Sequence, residues 1–155
     1  MRAAGTAAQT IARRALPVIL TPDLLRRLAL RQKEGIIMTT RECYDAMGGN
    51  YDEVIRRLGN EERVRRFLRK LSQDGSFPSL CQGMEDQDWE TAFRAAHSLK
   101  GISMNLELTA LAASSGALTE ALRPPFSGVD PAPLFQQVRE DYSRMLSAID
   151  GLEGA

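Results

Sequence analysis

The sequence predicts an all-α fold, an antiparallel four-helix bundle with short N-terminal helices covering one end. Three observations predict it. Helix-start and helix-stop residues alternate along the chain from Thr39 onward, and apolar residues between them recur at i, i+3, i+4 and i+7. No segment alternates with period two through β-branched residues. With 6% aromatic residues and many Ala, Leu and Met, the composition suits helix-on-helix packing. At 155 residues the chain has room for one domain of ordinary size.

Each element has its own justification. Thr39-Thr40-Arg41-Glu42 is a capping box, a hydroxyl at the N-cap with a carboxylate three residues on. That short helix ends at Gly48-Gly49. Asn50 and Glu53 repeat the device, and Gly59 stops the second short helix. Asn60 caps a third stretch, with Val64, Phe67, Leu68 and Leu71 on one side, which ends at Asp74-Gly75. Phe77, Leu80, Cys81 and Met84 repeat the pattern. Asp86 or Asp88 begins the next helix, whose stripe is Trp89, Ala92, Phe93, Ala96, Leu99 and Ser103. Leu108, Leu111, Ser115, Leu118 and Leu122 form a seam at near-heptad spacing. The paired prolines of Arg123-Pro124-Pro125-Phe126-Ser127-Gly128 end that helix and make a loop. Asp130-Pro131 reads as an N-cap with an N1 proline. Leu134, Val138, Tyr142, Met145, Ile149 and Leu152 follow in steps of four and three.

The charge balance divides the chain. Twenty basic and twenty acidic residues cancel, yet residues 1–37 hold seven basic and two acidic side chains, a net of +5, leaving −5 for residues 38–155. Residues 1–37 therefore read as a basic leader and 38–155 as the domain. The leader is a basic tail or packing helix, a transit peptide, or upstream sequence read in frame. The last is preferred, because Lys33-Glu34-Gly35 can be encoded by AAGGAGG, a bacterial ribosome-binding site. Ile36 and Ile37 then make a short spacer before the ATG of Met38, the expected start.

Several function classes are excluded. No apolar run approaches the roughly 20 residues of a membrane span, and a secretory h-region is missing. Cys43 and Cys81 lie far apart with no histidine nearby, which rules out a zinc knuckle or a CxxC redox site. One histidine excludes any site that needs two imidazoles, and no Gly-rich loop with Lys-Ser/Thr offers a nucleotide site. The expectation is a monomeric cytoplasmic protein with no metal and no cofactor. The arginines from Arg56 to Lys70 flank a single apolar stripe with no aromatic residue placed for base stacking. They read as a solvated helix face, with no nucleic-acid partner and no membrane partner.

His97 carries the chemistry. At about 100° per residue, the stripe of its helix centres near Ala92, Ala96 and Ser103, and His97 falls roughly a right angle away, on the border between core and solvent. Lys100 at i+3 and Gly101 at i+4 share that border. A neutral ring nitrogen is a competent nucleophile toward phosphorus near neutral pH. Lys100 supplies an ammonium to balance the incoming charge, and Gly101 leaves room for another protein's surface. Ser98 is no hydrolase partner for His97, since adjacent helix residues point about 100° apart. Phe93→Ala is expected to cost about 3–5 kcal/mol if that ring is buried.

Ala96-His97-Ser98-Leu99-Lys100-Gly101, followed by Asn105-Leu106, resembles the signature of the histidine-containing phosphotransfer (HPt) domains of phosphorelays. The strong part runs from about Phe93 to Leu111, and a looser match spans Met38 to Leu152. The resemblance implies that His97 accepts a phosphoryl group from a receiver-domain aspartate and returns it to another, without autokinase activity. The partners would be receiver domains of response regulators or hybrid histidine kinases, and any Mg²⁺ would be held by the receiver. It also implies that Lys100 assists transfer, while Gly101, Met104 and Arg94 serve docking. Two departures stand out. Glu107 replaces the frequent Gly after Asn-Leu, so the turn is expected to avoid a positive φ there or to place Glu107 in the first turn of the next helix. Ile102 and Met104 occupy positions often held by small residues, which bears on receiver choice. Three alternatives remain: a trans substrate of a chemotaxis-type histidine kinase, a module that docks and sequesters a receiver, and a generic bundle with a chance HSLKG.

Overall fold

The computed structural model of the chain describes residues 38–152. The basic leader and the question of a start at Met38 fall on residues 1–37, outside the described residues.

Seven helices follow one another among the described residues: α1 (Thr40–Met47), α2 (Tyr51–Leu58), α3 (Glu61–Ser72), α4 (Ser76–Glu85), α5 (Trp89–Asn105), α6 (Thr109–Ala121) and α7 (Ala132–Asp150). The all-helical class is as expected. An isolated bridge ties Met38 to Leu152, with the Met38 N–H donating to the Gly151 carbonyl at 2.7 Å.

The caps form where their residue types place them. The Thr39 box is complete, with Glu42 N–H donating to Thr39 Oγ1 at 3.2 Å and Thr39 N–H to Glu42 Oε2 at 2.9 Å. Asn50, Asn60 and Asp88 accept from the amides of Glu53, Arg63 and Thr91. The box at Asn50 is only half made, because Arg56 takes the Glu53 carboxylate at 2.7 and 2.8 Å. Of the two candidate starts for α5, Asp88 is the cap. The chain turns at Gln87 (φ +56), and Asp88 N–H reaches back to the Gly83 carbonyl at 2.9 Å. Asp130 accepts from Ala132 N–H at 3.0 Å, but α7 begins a residue later than the Asp130-Pro131 reading. Pro131 sits at the N-cap, with a further proline, Pro133, in the first turn.

Helices α4 and α6 both pack along α5, α6 packs on α7, and α1 packs on α7. Connections of three residues, 86–88 and 106–108, fold α4 onto α5 and α5 onto α6. Phe77 stacks on Tyr142 with centroids 3.9 Å apart, which brings α4 to α7. The buried core holds Ala92, Ala96 and Leu99 of α5, Leu111 and Leu118 of α6, and Val138, Met145 and Ile149 of α7. Phe67 departs from its expected stripe and is 41% exposed. It stands about 60° from Val64 and on the side away from Leu68, at the edge of the buried arc. The basic face of α2 and α3 is largely spent in ion pairs, Arg57 with Glu107 at 2.5 Å and Arg65 with Glu61 at 2.9 Å among them.

The approach of α4 to α5 depends on Gly83. A Cβ there would lie 2.7 Å from the Ala92 nitrogen and 3.0 Å from its Cα, so backbone rather than a flexible side chain would have to move. Gly83→Ala is therefore expected to destabilise the domain by about 1–3 kcal/mol. Gly75→Ala, which meets open space, serves as the control. Thermal melts by circular dichroism check the pair: a lowered Tm for the first and a nearly unchanged one for the second.

Candidate functional site

The site is assembled on α5, whose two faces differ in character. Ala92, Ala95, Ala96, Leu99 and Ser103 are buried, while Arg94, His97, Ser98, Gly101, Met104 and Asn105 are exposed. These exposed residues cover one broad arc of the helix, and from Arg94 to Met104 the face runs about 15 Å. His97 stands toward one edge of the arc, one turn beyond Arg94. Its imidazole stacks against Phe93 one turn earlier, with centroids 6.1 Å apart and planes 26° apart. Phe93 is only partly buried, so the full core penalty anticipated for its truncation does not apply.

Lys100 and Gly101 fall on either side of the line through His97. Lys100 turns toward α6 and its stem lies across Gly116, whose Cα carries no side chain in the way. A Cβ on Gly116 would sit 3.6 Å from Lys100 Cε and 3.7 Å from Cδ. Gly101 faces open space, with nothing within 4 Å of where its Cβ would be. A flat strip therefore lies one turn beyond the imidazole. Met104, 53% exposed, extends the strip with apolar surface. Arg94 lies one turn before His97 and is paired with Glu90.

Two residues of α6 and one just past its end complete the surroundings, and no sequence motif singles them out. They are Gly116, Glu120 and Arg123. Arg123 Nε and Nη2 donate to the two Glu120 oxygens at 2.9 and 2.7 Å. The Arg123 guanidinium lies 6.0 Å from the Phe93 ring centroid, close to the ring that stacks on His97. The Arg123 hydrogen bond holds the Glu120 carboxyl below its usual range, with smaller contributions from Lys100 and His97. The signal for these residues was available. They sit at i, i+4 and i+7, one position beyond Ser115, Thr119 and Leu122 of the buried α6 face, on the border turned to α5.

The connection after α5 corrects the expectation for Glu107. It adopts φ +54, in the left-handed region, and precedes α6, which begins at Thr109. Leu108 N–H donates to the Ser103 carbonyl at 2.9 Å and Glu107 N–H to the Met104 carbonyl at 3.2 Å, the paired bonds of a Schellman ending. The α1–α2 segment clamps this turn. Tyr44 Oη donates to the Leu106 carbonyl at 2.8 Å, and Asn50 N–H to the Glu107 carbonyl at 2.8 Å. Gly48 (φ +67) and Gly49 allow the approach, since a Cβ on Gly49 would lie 3.0 Å from that same carbonyl oxygen.

The cysteines stand apart from this chemistry. Cys43 is wholly buried, and burial pushes its thiol up to about 12, so it packs as a small apolar group rather than as a nucleophile. Both cysteines are free thiols.

No helix among the described residues is long and apolar enough to cross a membrane. No curated protein and no solved structure matches the chain. A protein-family model does, the Hpt domain, over residues 61–150. Those residues run from the start of α3 to the last residue of α7 and make up more than half of the chain. The protein belongs to the Hpt domain family, the phosphotransfer modules of two-component signalling.

Proposed function

We propose that the protein is a phosphocarrier in which His97 accepts a phosphoryl group from a receiver-domain aspartate and passes it to a second receiver. The observation that carries this reading is the exposed imidazole with open space at Gly101 one turn away, on the solvent face of a helix whose other face is buried. In the forward step a ring nitrogen lone pair attacks phosphorus. The N–P bond forms as the P–O bond to the aspartate breaks, and the carboxylate leaves with the electron pair. The ring keeps its other N–H, so no base on this chain is required. The reverse step uses the same groups with a second aspartate as acceptor.

Each neighbour has a role in that exchange. The Lys100 ammonium lowers the cost of bringing a dianion to the helix surface, and the bare strip at Gly101 lets the receiver's rim come close enough for in-line attack. Met104 and Arg94 border the strip and meet the receiver, with Met104 supplying apolar contact. The receiver brings its own Mg²⁺. A helical carrier of this kind has no ATP site of its own and takes its phosphoryl group from a partner that has already been charged.

Three outcomes follow. A phosphorylated receiver should transfer acid-labile, base-stable label to the wild-type chain and none to His97→Gln, while ATP alone labels neither; label retained in the variant would move the acceptor elsewhere. Gly101→Arg should leave the thermal melt nearly unchanged yet weaken receiver binding by at least about tenfold in titration calorimetry, since about 1.4 kcal/mol of lost contact corresponds to that factor. Lys100→Ala should slow transfer in single-turnover kinetics by about 10- to 100-fold, as for a group that stabilises developing charge at a solvent-exposed site.

A further inference from the structure

We infer that Glu120 is a positioning residue that sets the transfer equilibrium of His97, as the anion a phosphoryl group must displace from Arg123. The inference rests on the reading of His97 as the acceptor and deepens it. In the unphosphorylated protein Glu120 holds both forks of Arg123, at 2.9 and 2.7 Å, and lies one turn along α6 from Gly116, where the Lys100 stem crosses. Arg123 in turn lies over Phe93, and Phe93 stacks on His97, so carboxylate, guanidinium, ring and imidazole follow one another in a single chain of neighbours.

A phosphoryl group on His97 would enter this group as a second, stronger anion, with close to two negative charges near neutral pH. The guanidinium fork suits phosphate oxygens as well as it suits a carboxylate. Arg123 is more than half exposed, with a side-chain accessibility of 57%, so its exchange from Glu120 to the phosphoryl oxygens breaks no buried contact. Glu120 is then left beside a like charge. Its repulsion raises the free energy of the phosphorylated state and leaves the unphosphorylated state stabilised by the Arg123 pair. The residue works as a counterweight that keeps the group transferable. Exposed charges are screened, so the effect belongs in the range of roughly three- to tenfold in the equilibrium constant and fades with salt.

The test equilibrates the full chain with a receiver domain charged by acetyl phosphate and measures the fraction of phosphoryl group on His97 at low and high salt. Glu120→Gln, isosteric and uncharged, is expected to raise the equilibrium constant toward the phosphorylated carrier by that factor at low salt, with the gain shrinking as salt is added. Arg123→Gln is expected to lower it. Melting curves confirm that both variants fold. An unchanged or lowered constant for Glu120→Gln overturns the inference, and so does a rise that ignores salt, which would mark a steric effect. Failure of the wild-type chain to take label at all would instead overturn the assignment of His97.

Discussion

The close approach of α5 to α4 and α6 through small side chains is the constraint on which the rest of the molecule depends. On one side Gly83 admits the backbone of Ala92, and on the other Gly116 of α6 admits the Lys100 stem, while Ser103, Ser115 and Thr119 are buried. Interhelical distance follows the side chains at the contact. Hydroxyl groups are tolerated in this core because each satisfies itself within its own helix. Ser103 Oγ donates to the Leu99 carbonyl at 2.7 Å, Ser115 Oγ to Leu111 at 2.5 Å and Thr119 Oγ1 to Ser115 at 2.7 Å. Large residues at these positions would hold α6 farther off. The Lys100 stem would then no longer lie on Gly116, and Arg123 would leave the Phe93 ring. Core packing and the charge arrangement at the surface are thus two consequences of one helix spacing.

The second constraint is the end of α5. A non-glycine residue in the left-handed region costs of order 1–3 kcal/mol unless its surroundings hold it. Glu107 is held on every side: a Schellman pair within its own helix end, the Asn50 amide on its carbonyl, and Arg57 on its carboxylate at 2.5 Å. The α1–α2 segment is therefore more than a cover for one end. By fixing the turn it fixes the register in which α6 returns along α5, and so which α6 residues face His97. The ion pair also shows why Glu is tolerated where Gly would be conformationally easier. The side chain that makes the turn costly also supplies its anchor on α2.

Much of this was legible in the sequence. The seven helices, their starts at Thr39, Asn50 and Asn60, the start at either Asp86 or Asp88, and the seam Leu111–Ser115–Leu118–Leu122 are local signals, set by caps and 3.6-residue periodicity. The angular position of His97 also follows from one helix alone. What escaped depends on two elements meeting. No spacing along α5 indicates that Lys100 crosses Gly116, and nothing local to α6 ties Glu120 and Arg123 to a ring on α5. Glu107 was misjudged because propensity disfavours a positive φ there, while the tertiary bonds that overrule propensity come from residues more than 50 positions earlier. The half-made box at Asn50 has the same origin on a smaller scale, an arginine outcompeting a backbone amide for one carboxylate.

With His97 as the proposed acceptor, its exposure also explains why the chemistry would have to be shared. Stabilising a transferring phosphoryl group takes fixed charges in a site from which water is excluded. His97 is open to solvent, and Lys100, Glu120 and Arg123 stand at the surface, where their fields are weak and screened. On its own this constellation can hold a phosphoryl group but does little to speed its transfer. In the proposed exchange, a docking receiver would cover the strip at Gly101, expel water and strengthen every charge already in place. On the proposed reading, the carrier's own contribution would be geometric and electrostatic balance: an imidazole at a fixed height on a rigid helix, cations that make the phosphorylated state accessible, and a carboxylate that keeps that state from becoming too stable to leave.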